Sequence, residues 1–70
     1  MRFRVGDLVK PSKEELKKYS RYYKEWNPNG NAGKVVWINE DLFFPIKVMW
    51  EKSVNGNYSE HELRLYKRGN

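Results

Sequence analysis

Residues 5–11 read "VGDLVKP" and residues 30–38 read "GNAGKVVWI". The fold turns on whether these are neighbouring strands parted by an insert. In the first piece and the residues before it, Phe3 and Val5 alternate with Arg2 and Arg4. The pattern breaks at Gly6-Asp7 and resumes at Leu8-Val9. Period-two alternation marks a half-buried strand, and a glycine inside it marks a kink or bulge. In the second, "KVVWI" gathers β-branched residues and a tryptophan, which suit a pleated surface.

The intervening "SKEELKKYSRYYKEWNPN" follows a different rule. Ser12 after Pro11, with Glu15 three residues on, forms an S-x-x-E capping box, and Glu14 and Glu15 sit where the helix dipole favours acids. Leu16, Tyr19, Tyr22, Tyr23 and Trp26 then fall within an arc of roughly 120°, with Lys13, Lys17, Lys18, Arg21 and Lys24 opposite. This predicts an amphipathic helix over residues 12–26, stopped by the Asn-Pro and Asn-Gly steps that follow. Its aromatic stripe is expected to close a core too small to fill itself, with Tyr22 at the exposed edge.

Downstream, "IKVMWEK" sets Ile46, Val48 and Trp50 against Lys47, Met49 and Glu51, which predicts a strand with Trp50 in the core. Asn55-Gly56 predicts a hairpin turn. Tyr58, a polar turn over 59–62 and a last strand over 63–66 complete the domain, leaving residues 67–70 as a frayed tail. The sum is one mainly β domain over residues 1–66: four or five short strands, with one helix inserted between the first two.

The chain has 70 residues and no cysteine, so its core is thin and no disulfide staples it. No segment has the length of a signal peptide or a membrane span, and the expectation is a soluble, cytoplasmic protein. Charge is unevenly placed. Residues 1–38 hold nine Lys/Arg against four Asp/Glu, whereas residues 39–70 hold five of each. The whole excess of +5 therefore belongs to the first half, which points to an acidic partner, either nucleic acid or an acidic protein surface.

The pieces "VGDLVKP", Gly30, Gly33, Val35 and Ile38 in "GxxGxVxxI", "PIKVMW" and "YSEHELRLY" resemble the SH3-like barrels of the KOW and Tudor group, and also Mib–Herc2-type barrels. The resemblance covers residues 3–10 and 30–66 and is interrupted by the helical insert. It implies a small bent barrel, with Gly30 and Gly33 as turn formers. It also implies that Val35 and Ile38 point inward across a bulge, leaving Trp37 partly outside.

Chemistry finds little purchase. His61, the single histidine, is flanked by Glu60 and Glu62, which point elsewhere in any regular conformation. No phosphate loop, metal spacing or paired carboxylate is present, so the expectation is a non-enzymatic module without cofactor or metal. Two modes of binding fit. In the first, Arg2, Arg4, Lys10, Lys17, Lys18, Arg21, Lys24 and Lys34 neutralise phosphates while Tyr22, Trp37 or Phe43 stacks on bases or sugars. The apolar loop residues Leu42, Phe43 and Phe44 are expected to fold back over the barrel mouth; exposed instead, they would in the second mode join the helix in docking to a protein. An adaptor or inhibitor of the kind phages encode would suit that mode.

Overall fold

The computed structural model describes residues 1–27 and 29–69, with the side chains of residues 19–24 and 26 outside that description. The chain runs β1 (Leu8–Pro11), α1 (Lys13–Trp26), β2 (Gly33–Ile38), β3 (Ile46–Met49), β4 (Asn55–Tyr58), a 3₁₀ turn (Glu60–Glu62) and β5 (Leu63–Lys67). The strands form one antiparallel sheet in the order β4-β3-β2-β1-β5. The insert does join neighbouring strands, since Leu8 lies opposite Lys34 and Val9 opposite Gly33.

β4 and β5 are the two edges of the sheet, yet only residues 59–62 connect them. Laid flat, five strands would measure roughly 19 Å from edge to edge, at about 4.8 Å per spacing. A linker dominated by a 3₁₀ turn, rising about 2 Å per residue, falls short of that. The sheet therefore curls around its apolar face. Among the described residues no ladder joins β4 to β5, so the result is a curled open sheet.

Inward positions supply the core: Phe3, Val9, Val35, Ile46, Val48, Trp50, Tyr58 and Leu63 are buried, and Ile38 packs against them. A register shift between Val35 and Trp37 keeps Val35 and Ile38 inward and turns Trp37 out. Trp50 and Tyr58 meet edge to face at 5.9 Å, and the indole N–H donates to the Tyr58 hydroxyl at 2.9 Å. Both rings need a glycine beside them. A Cβ on Gly33 would stand 2.5 Å from the Trp50 ring, and one on Gly56 would stand 2.5 Å from the Tyr58 hydroxyl.

Those contacts correct two expectations. Gly33 lies within β2 as a packing site, while Gly30, at φ +67°, serves the turn. Asn55-Gly56 belongs to β4, and the hairpin turn lies upstream. The Ser53 N–H donates to the Trp50 carbonyl at 3.1 Å, the Trp50 N–H donates to the Val54 carbonyl at 2.9 Å, and Ser53 takes φ 58°. A turn at 55–56 would set Tyr58 opposite Ser53. The observed register sets it opposite Ile46, where its ring is buried.

A third correction concerns the C-terminus. Residues from 67 onward do not fray over the described chain: Lys67 ends β5, and Arg68 and Gly69 close over Asp7. The Asp7 carboxylate is buried and accepts from the Arg4 N–H at 2.9 Å, the Gly69 N–H at 2.8 Å and the Arg68 guanidinium at 2.9 Å. Burial alone would raise its pKa. The Gly69 and Arg4 amides, with the charge and hydrogen bond of Arg68, outweigh burial and hold it below the usual carboxylate range. A side chain at position 69 would strike the Gly6 carbonyl, so the chain passes there only as glycine.

Helix α1 starts as the capping pattern predicts, with Ser12 Oγ accepting the Glu15 N–H at 3.3 Å. The Ser12 N–H also donates to the Glu62 carbonyl at 2.9 Å, tying the helix entry to the 3₁₀ turn. The expected aromatic stripe at Tyr19, Tyr22, Tyr23 and Trp26 lies outside the described residues. Among the described residues no helix is long and apolar enough to cross a membrane.

Candidate functional site

The strands together hold five cations, Lys10, Lys34, Lys47, Arg64 and Lys67, and no Asp or Glu. Alternation places Lys10, Lys34, Lys47 and Arg64 on the outer, solvent-facing side of the sheet, because their strand neighbours Val9, Val35, Val48 and Leu63 point into the core, and a register shift in β5 sets Lys67 opposite Leu8 on the same side. The nine acids of the chain lie elsewhere: in α1, in the loop before β3, in the β3–β4 turn, in the 3₁₀ turn, and at buried Asp7.

Register packs these cations closely. Lys10 sits directly opposite Arg64, while Lys34 and Lys67 flank Leu8 from either side. Like charges on one rung of a ladder destabilise it. No acid on the strands relieves the repulsion.

Two aromatic rings share the surface. Trp37 is 42% exposed with the Lys47 ammonium 5.4 Å from its ring centre, and Tyr66 is 58% exposed with the Lys10 ammonium at 4.5 Å. Met49, also partly exposed, lies beside Lys34. The face thus offers ammonium and guanidinium donors for anions, and flat apolar rings for planar groups.

Of the residues expected to bind nucleic acid, Lys10, Lys34 and Trp37 stand together on this face. Arg2 has other work. Its guanidinium donates to the carbonyls of Glu60 and Leu63 at 3.2 Å each and lies 4.9 Å from the centre of the Phe3 ring, bracing the N-terminus against the 3₁₀ turn. Arg4 is exposed beside the Asp7 closure, and Lys17 and Lys18 are exposed on α1. Arg21, Tyr22 and Lys24 have side chains outside the described residues. Lys47, Arg64, Tyr66 and Lys67 join the face without having been expected there. The alternation of "IKVMW" already turned Lys47 outward, but a register shift within β5 breaks the alternation there.

A second feature is the loop between β2 and β3. An Asx turn, with the Asp41 N–H on Asn39 Oδ1 at 3.1 Å, and a closing bond from the Asn39 N–H to the Pro45 carbonyl at 2.9 Å shape it. It holds Phe43 almost wholly in solvent, 92% exposed, with Phe44 and Leu42 about half exposed. The loop does not fold back over the sheet. It borders an open groove of about 430 Å³ shared with Met1, Pro45, Glu60 and His61.

His61 is exposed and hydrogen-bonds Ser59 Oγ through Nδ1 at 3.1 Å. Nearby, burial pushes the Glu15 carboxyl up, and the charge and hydrogen bond of Glu62 push the same way, against weaker pulls from Lys18 and His61. Among the described residues no group of three His, Cys, Asp or Glu could hold a metal ion. No family model, curated protein or solved structure matches the chain.

Proposed function

We propose that the chain is a non-enzymatic, cytoplasmic binding module that holds nucleic acid by its phosphate backbone, with little sequence preference, on the outer face of an SH3-like sheet. The observation that carries this reading is the charge sorting: five cations and no acid on the strands. A meander of four strands with β5 returning beside β1 supports the SH3-like reading of the fold. The surface differs from the helix and first strand expected from the sequence, and shares with it Lys10, Lys34 and Trp37.

Titration with a labelled oligonucleotide at several salt concentrations tests the proposal. Five cations support a log–log slope no steeper than about −4 to −5. Lys34→Ala and Lys67→Ala should each make the slope shallower by about one. Absence of binding at low salt would refute the proposal.

A protein-docking role, as an adaptor or inhibitor of phage type, is the second reading, favoured by the exposure of Phe43 at the tip of a shaped loop. Phe43→Ser with Phe44→Ser would then abolish capture of a partner while the fold survives. Unchanged capture would remove that loop from consideration.

A further inference from the structure

We infer that the ligand of the outer sheet face is a single strand, DNA or RNA, whose bases stack on Trp37 and Tyr66. The inference rests on the phosphate-binding reading above and adds the class of nucleic acid. Each ring faces solvent with one lysine ammonium near it, at 5.4 Å for Trp37 and 4.5 Å for Tyr66. A cation over a ring is an exchangeable partner. An unstacked base can take its place, and the displaced ammonium needs to swing only a short way to meet the phosphate that the base brings with it. Duplex DNA cannot use this arrangement, because its bases are stacked inside.

The dimensions agree. Trp37 on β2 and Tyr66 on β5 stand two strand spacings apart, roughly 10 Å across the sheet. The register offsets them by about three residues along the strands, roughly another 10 Å. The resulting diagonal corresponds to a short run, on the order of four nucleotides at the ~3.4 Å rise of a stacked strand. Lys34 and Leu8 occupy the ground between the rings. A sheet of this breadth also cannot enter a major groove about 12 Å wide, which admits a helix or a two-stranded ribbon.

The test is fluorescence anisotropy at one low salt concentration, using a labelled mixed-sequence single-stranded DNA, the same sequence as RNA, and the DNA as a duplex. The proteins are wild type, Trp37→Ala with Tyr66→Ala, and Lys34→Ala with Lys67→Ala; circular dichroism checks that each keeps its fold. At least one single strand should bind more tightly than the duplex. The aromatic variant should weaken that single strand by tenfold or more, the scale of one or two lost stacking contacts, and change duplex binding less than twofold. The lysine variant should weaken every nucleic acid that binds. Equal affinity for duplex and single strand, or an aromatic variant that weakens both alike or neither, would overturn the inference while leaving phosphate binding intact. Displacement of the single strand by polyglutamate at equal charge would overturn it as well. Absence of binding to all three probes would refute the underlying reading itself.

Discussion

Replacing Asp7 by alanine removes an acceptor that three donors share, and the consequence can be worked out from the closure it makes. The carboxylate is fully buried and takes the Arg4 N–H at 2.9 Å, the Gly69 N–H at 2.8 Å and Arg68 at 2.9 Å. Breaking a buried charge pair costs about 3–5 kcal/mol when the partner is stranded. Arg68 is half exposed and can return to water, so the lower end applies, about 3 kcal/mol. A domain of this length has only about 4–10 kcal/mol of total stability. Thermal denaturation should therefore show Tm lowered by roughly 12–24 °C. Arg68→Ala, which leaves the buried carboxylate to its two amide donors alone, should also lower Tm.

The same closure has a pH signature. A carboxylate whose folded pKa lies below its unfolded value, about 3.9, adds stability above that value and loses it as pH falls through the folded pKa. Wild type should lose this contribution below about pH 4, and Asp7→Asn should lack that part of the acid transition. A fall in Tm of less than about 5 °C for Asp7→Ala would refute the argument that the C-terminus is anchored there.

Three other substitutions test local readings. Gly33→Ala would press a methyl against the Trp50 ring and Val48, and should lower stability by about 2–3 kcal/mol in a urea titration; an unchanged midpoint would remove the close-packing argument. Ser53→Gly relieves a left-handed residue in the β3–β4 turn and should raise stability by about 0.5–1 kcal/mol by the same measure. Glu15→Gln should stabilise by about 0.5 kcal/mol at pH 7, because a carboxyl with a raised folded pKa is penalised once ionised. That gain should vanish below about pH 4, where the wild-type carboxyl is protonated in both states.

Alternation made much of the architecture legible. Ile46, Val48 and Trp50 read inward and are inward, and the capping box at Ser12 marks the observed helix entry. The interrupted strand pair was also readable, because β1 and β2 keep their own period on either side of the insert. The turn chemistry misled because Asn55-Gly56 carries a strong local signal that the core overrides. Burying Tyr58 fixes the register, and Gly56 is there to make room for the ring.

The site was harder to read. Counting charge along the chain assigned the basic surface to the first half, since in the second half five acids balance Lys52 and the four cations Lys47, Arg64, Lys67 and Arg68. Folding separates those acids into loops and turns and sends three of those four cations to one face. The "GD" of the opening stretch gave no hint that Asp7 would be buried. Its partners at Arg68 and Gly69 lie at the far end of the chain, where no local pattern can announce them.

The central claim is that the outer face of the sheet, not the helix, meets nucleic acid. The most direct measurement is a two-dimensional ¹H–¹⁵N spectrum of the chain titrated with a short single-stranded oligonucleotide. Shifts are expected at the Trp37 indole N–H and at the amides of Lys10, Lys34, Lys47, Arg64 and Tyr66, with Lys17 and Lys18 undisturbed. Shifts concentrated along α1, or none on the strands, would contradict it.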